Sequence, residues 1–229
     1  FMMPTFLIIT GYLVNIEKKP KEMGRYLMCL ALPYVIMVTG FSVLSYFMPV
    51  RDGITELSLS QICEKIFVTS IGPYWFIQTM IICGILYYVS FKGATWGTLR
   101  QGKTTMSTTT SPFIFATLLL LLSKTPALSP SAATYYFIGA VLRQCHIGFD
   151  RIFRPSPVAL LLWINLLGLE EWYDWGTLAI VFSCWCCISS LMWIHSLIKR
   201  LQDNANVRKT EDTLLYIGRN TLPIYLFHP

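Results

Sequence analysis

Charge is what this sequence has least of: Asp, Glu, Lys and Arg make up only 13% of its 229 residues, about half the share found in soluble globular domains. No interval between its apolar runs is long enough to bury a water-soluble core, so a soluble one- or two-domain protein is excluded. Histidine is also scarce, at three. The seven cysteines (Cys29, Cys63, Cys83, Cys145, Cys184, Cys186 and Cys187) have no histidine at zinc-finger spacing, and their one CxxC spacing, Cys184 to Cys187, lies inside an apolar run. Neither a metal site nor a redox pair is expected from them; most lie in apolar runs, where a free cysteine behaves as a small hydrophobe. The sequence starts and stops inside apolar stretches. It is therefore expected to be the interior of a longer protein, and the missing signal peptide carries no information.

What the chain has in excess is apolar surface, 54% of residues. Apolar segments run over about 1–16, 26–49, 66–91, 112–128, 132–149, 158–169 and 175–198, and an eighth starts near 215. Polar loops at 50–65, 92–111 and 199–212 punctuate them, the second carrying Gly93, Gly97, Gly102 and a threonine-rich run. This pattern predicts an all-α fold: a polytopic transmembrane helical bundle of about eight apolar segments, forming one domain over 1–229. A soluble bundle is disfavoured because several segments lack a polar stripe to face water. Pro33 inside the second segment is tolerable where neighbouring helices or water satisfy the freed carbonyl.

The loop charges alternate in sign. The odd-numbered loops, with Arg143 and Arg219 at their edges, carry fifteen basic and six acidic residues, a net of +9; the even-numbered loops carry three basic and six acidic, a net of −3. Short cytoplasmic loops hold the excess of Lys and Arg. The Lys18–Arg25 loop is thus expected to be cytoplasmic and His228 to lie near the outer face.

Five stretches, in order, carry a resemblance. FMMPTFLIITGYL at 1–13 resembles the FHMPLFFFISGYL second span of the integral-membrane acyltransferase family 3, and LALPY at 30–34 resembles the LLIPY that follows its basic loop. Pro73, Tyr74, Trp75 and Phe76 resemble its LWFL segment, YYFIG at 135–139 its YFxxG, and YIGRNTLPIYLFH at 216–228 its YIGKNSLPIYLLH. The likeness is closest to the branch that O-acetylates sugars of surface glycans, a protein of about ten spans. It implies transfer of an acetyl (acyl) group from cytoplasmic acetyl-CoA to a hydroxyl of a carbohydrate or its lipid-linked precursor, in the bacterial inner membrane. It also implies a catalytic histidine near the end of a first span that would precede Phe1, so the fragment alone is expected to be inactive. Met2 and Thr5 stand where the family often has His and Phe.

Acyl transfer to an alcohol needs a base, an oxyanion stabiliser and a donor site. Lys18, Lys19, Lys21 and Arg25 are candidates to neutralise the phosphates of CoA; the same cluster also reads as a positive-inside signal attracted to anionic lipid. Arg143 is a second donor-binding candidate. Trp75 and Gln78, three residues apart, would share a helix face and line a substrate path, or else anchor and hydrogen-bond the helix. Tyr225 and His228 share a face, and His228 is the weak catalytic candidate within these residues. His146 and His195 read as structural residues at inner ends of spans, and Arg219 as a residue snorkelling to the interface. The lipid bilayer, acyl-CoA and a carbohydrate acceptor are the expected partners; nucleic acid and metal are not. A multi-span transporter or exporter without acyl transfer is the alternative, although no inverted repeat is visible.

Overall fold

The computed structural model describes residues 2–48, 53–99, 107–145, 147–168, 176–200, 212–216 and 218. Among these, every regular element is helical: α1 (Met2–Leu13), α2 (Pro20–Phe47), α3 (Leu59–Phe67), a 3-10 turn (Gly72–Tyr74) leading into α4 (Trp75–Leu99), α5 (Ser107–Leu122), α6 (Pro130–Gln144), α7 (Phe149–Ile152), α8 (Pro157–Gly168) and α9 (Thr177–Arg200). Pro20–Phe47, Gly72–Lys92 and Thr177–Arg200 are long and apolar enough to cross a membrane, and Met3–Leu13, Ser111–Leu122 and Pro157–Gly168 are shorter apolar helices. The all-α transmembrane reading holds. The apolar segment expected from 215 lies almost wholly outside the described residues.

Proline sets several of the helix starts. Pro20, Pro130 and Pro157 open α2, α6 and α8, where the missing N–H is not needed and φ is already helical. Lys19 before Pro20 is extended, with φ −63° and ψ 152°, as a residue before proline should be. Several boundaries differ from the sequence expectation, three of them in or beside the polar loops. The 50–65 loop contains most of α3, the segment expected at 66–91 starts only at Gly72, and the loop expected at 92–111 is helical up to Leu99 and again from Ser107. Charge in the first case, and glycine and threonine in the last, look like loop signals. Their weak local preference yields when an apolar helix propagates through them.

The described residues fall into two compact units, one of Leu7–Val141 and one joining Phe1–Phe6 to the chain from Leu142. In the first, α4 packs against α2 and α5. Tyr87 and Phe91 of α4, Phe115 of α5 and Phe137 of α6 form one aromatic cluster, with centroid separations of 5.3 Å for Tyr87–Phe115 and 5.7 Å for Phe115–Phe137. Such separations are those of favourable aromatic pairs.

Against α1, α6 comes closer than side chains normally permit. A Cβ on Gly11 would collide with the Tyr136 carbonyl oxygen and stand 3.1 Å from the Ala140 nitrogen. Reciprocally, a Cβ on Gly139 would collide with the Ile8 carbonyl oxygen and stand 3.0 Å from the Tyr12 nitrogen. Each glycine thus admits the other helix's backbone. Small residues do this in membranes, where helices associate by packing because lipid removes the hydrophobic drive between them.

In the second unit, α8 packs on α9. The buried face of α9 is small and weakly polar: Ser183, Cys184, Cys186, Cys187, Ser189 and Ser190 with Ile188. Ser190 Oγ donates to the Cys186 carbonyl at 2.6 Å, and the Trp185 indole donates to the Ile152 carbonyl at 2.8 Å, tying α7 to α9. Cys184 is hydrogen-bonded to Thr5. The cysteines at 83, 184, 186 and 187 are buried and unpaired, in keeping with a filler role.

The glycine contact makes a stability prediction. Gly11→Ala and Gly139→Ala should each destabilise the detergent-solubilised protein by about 1–3 kcal/mol, the usual cost of overpacking, read as a lowered thermal midpoint. Gly40→Ala, whose Cβ meets nothing within 4 Å, should leave the midpoint unchanged or raise it.

Candidate donor-binding site

The turn from α1 into α2 is built by local hydrogen bonds. Val14 N–H still donates to the Thr10 carbonyl at 3.0 Å, Asn15 Oδ1 accepts the Glu17 N–H at 2.8 Å, and the Lys19 carbonyl accepts from Glu22 and Met23, each at 3.0 Å. An asparagine side chain that mimics a backbone turn in this way is a standard turn former.

A second helix then fixes the turn from outside. The Tyr88 hydroxyl of α4 donates to the Lys18 carbonyl at 3.1 Å, and Lys92 Nζ donates to the carbonyls of Glu17 and Lys18, each at 3.2 Å. Hydrogen bonds from an ammonium are stronger than neutral ones. Lys92 Nζ also stands 5.8 Å from the Tyr88 ring centroid, and Lys18 Nζ stands 5.1 Å from the Tyr26 ring centroid, both within cation–π range.

Beside this turn is a cavity of about 280 Å³ walled by Thr10, Asn15, Lys18, Met23, Tyr26 and Met80, with Leu13 and Val14. Its lining mixes an ammonium, an amide, a hydroxyl and a phenol ring with two thioethers. Thr10 Oγ1 lies 3.6 Å from Met80 Sδ, so its hydroxyl has only a weak partner there. Lys18 is half-buried at the cavity, while Lys19, Lys21 and Arg25 are exposed around it. The arrangement can hold an anion against Lys18 and enclose a narrow polar or thioether chain behind it.

Of the residues singled out by sequence, Lys18, Lys19, Lys21 and Arg25 come together at this turn. Arg143 is exposed in the last turn of α6 and belongs to the other compact unit. Trp75 and Gln78 open α4: Trp75 is 38% exposed, whereas Gln78 is buried and its amide donates to the Val68 carbonyl at 3.4 Å. His195 is exposed on α9. His146, Arg219, Tyr225 and His228 lie outside the described residues. Sequence reasoning missed Tyr88 and Lys92, counting the lysine only as a loop charge. A tyrosine and a lysine four residues apart at the basic end of a span was the available signal.

A bundle of membrane-length helices with a cationic, tyrosine-braced cavity at a basic interhelical turn defines a polytopic membrane protein. Residues 1–229 match the family model described as "Acyltransferase domain", that of acyltransferase family 3. The chain belongs to that family and is an acyltransferase. No curated protein and no solved structure matches it.

Lys92→Ala should free the Glu17–Lys18 turn. Limited trypsinolysis in detergent should then cut after Lys18 several-fold faster than in the parent. An unchanged rate would mean that the turn is held without the α4 lysine.

Proposed function

We propose that this acyltransferase moves an acetyl group from acetyl-CoA to a hydroxyl of a cell-surface glycan or its lipid-linked precursor, in the bacterial inner membrane with the Lys18–Arg25 turn facing the cytoplasm. The observation that carries the reading is the cavity at Lys18. An acyl-CoA donor presents phosphates and a narrow pantetheine chain ending in a thioester. Lys18, with Lys19, Lys21 and Arg25 around it, supplies cations for the first, and Thr10, Asn15, Tyr26 and Met80 line a slot suited to the second. At about 280 Å³, the cavity is at the small end of ligand pockets, so it suits part of the donor.

In the reaction the acceptor oxygen attacks the thioester carbonyl carbon, a C–O bond forms, the C–S bond breaks, and the hydroxyl proton ends on the departing CoA thiol. The residues described here act in donor binding and positioning.

Lys18→Ala in the full-length protein should weaken acetyl-CoA binding about tenfold, the loss of one charge-assisted contact of roughly 1.5–3 kcal/mol discounted for partial exposure. Lys18→Arg should retain most of the affinity. Equal affinity for all three proteins would remove Lys18 from the donor site. With labelled acetyl-CoA, membranes holding the full-length protein should transfer label to glycan, and failure across a broad acceptor panel would overturn the acceptor assignment.

A further inference from the structure

The segment between α2 and α4 does not simply cross the surface. It starts at the end of α2, where Ser45 Oγ accepts the Ile54 N–H at 3.0 Å, and Gln61 Oε1 then accepts the N–H groups of Thr55 and Glu56 at 3.1 and 3.2 Å. From there α3 packs along α2. Its last turn meets α2 well inside the span: the Tyr34 hydroxyl donates to the Ile66 carbonyl at 2.8 Å. Tyr34 stands thirteen residues before Phe47, the last residue of α2, about 20 Å along the axis at the α-helical rise. Two further contacts hold the chain that follows. Phe41 of α2 lies 5.5 Å from Tyr74, centroid to centroid, and Gln78 donates to the Val68 carbonyl at 3.4 Å. The chain breaks at Val68–Ile71 and turns at Gly72, whose φ is +55°, before α4 runs on.

We propose that α3 is a re-entrant half-helix, and that its Ser60–Glu64 stripe lines a water-filled vestibule that admits the hydroxyl-bearing acceptor from the Phe47 end of α2. Non-helical backbone at membrane depth survives only when it is buried in protein or lines an aqueous cavity. Here Tyr34 and Gln78 satisfy two carbonyls freed at the break, while the hydroxyl oxygen of Thr69 is buried with no protein partner among the described residues. The surface of α3 divides into three strips. Gln61, Ile62, Lys65 and Ile66 are half-buried, the side turned to the protein. Leu59, Cys63 and Phe67, at i, i+4 and i+8, are exposed and apolar, with Leu59 78% and Phe67 70% accessible. Beside them Ser60 and Glu64 are exposed and polar. An exposed carboxylate at this depth would cost about 2–3 kcal/mol in lipid, so water has to reach it. One strip faces protein, one lipid and one the vestibule. The acceptor clause rests on the acyl-transfer reading above; the re-entrant geometry does not.

Nitroxide scanning of the full-length protein in phosphatidylcholine proteoliposomes tests the proposal. Single labels are placed at native Cys63, and in a C63S background at Leu59→Cys, Glu64→Cys and Phe67→Cys, with Cys29 and Cys145 replaced. Collisions with oxygen relative to a water-soluble nickel chelate should rise along the apolar strip from 59 through 63 to 67, as a descending helix requires. The label at 64 should collide freely with nickel. A flat ratio along the strip would place α3 in the plane of the surface, and nickel exclusion at 64 would remove the vestibule; either result overturns the proposal. Because Cys63 is native, the comparison does not depend on the fold of one variant. Attaching a charged thiol reagent at Glu64→Cys should lower acceptor kcat/KM at least tenfold while acetyl-CoA affinity stays unchanged. Undiminished transfer would overturn the acceptor assignment, and a donor-site failure would appear separately as lost acetyl-CoA binding.

Discussion

The backbone-to-backbone approach of α1 and α6 is the constraint on which the larger compact unit depends. Gly11 and Gly139 are reciprocal: each lies against a carbonyl oxygen of the opposite helix, so neither tolerates a side chain without separating both helices. In lipid this closeness supplies dispersion contacts that the hydrophobic effect cannot. It also fixes what surrounds it. Tyr136 carries the carbonyl that faces Gly11, and its own hydroxyl lies 3.7 Å from where a Gly84 Cβ would be, bringing α4 into the same packing. Phe137, the next residue, joins the aromatic cluster with Phe115 of α5.

Polar groups are then used where the packed helices leave backbone unpaired. At one end of α4, Tyr88 and Lys92 close the Glu17–Lys18 turn; at the other, Gln78 closes the Val68 carbonyl. The same helix therefore braces the cationic turn beside the Lys18 cavity and the break after α3. A buried, unsatisfied carbonyl costs about 1–3 kcal/mol, which is reason enough for such side chains to sit inside an apolar helix. Gln78 is thus tied to the chain break, and Trp75, 38% exposed, is the more available of the two residues for a ligand.

Much of this was legible in the residues. Low charge and recurrent apolar runs gave the transmembrane all-α class, because nothing else buries so much apolar surface without a polar stripe. The GYL and YYFIG stretches marked the chain's family, although their glycines became intelligible only once they were found facing each other. Sequence spacing carries no information on which helices are neighbours. The break at 68–71 was hidden for a related reason: residues 66–91 read as one apolar run, and only Gly72 and Pro73 hint that its backbone is interrupted. In α3 the apolar residues at 59, 62, 63, 66 and 67 have helical spacing, but the charges between them read as a loop. The lysines of the Lys18–Arg25 turn were visible as a cluster, whereas the α4 residues that hold it were not, since their partners are carbonyl oxygens seventy residues away.

The most direct test of the packing at the centre of this structure is a distance. In the membrane-embedded protein labelled with carbon-13 at Gly11 Cα and the Tyr136 carbonyl carbon, solid-state NMR dipolar recoupling should give a separation of about 5 Å or less. That limit is one covalent bond beyond the 3.3 Å separating a Gly11 Cβ position from that carbonyl carbon. A separation well beyond that limit, with side chains held between the two backbones, would contradict the glycine-mediated contact between α1 and α6.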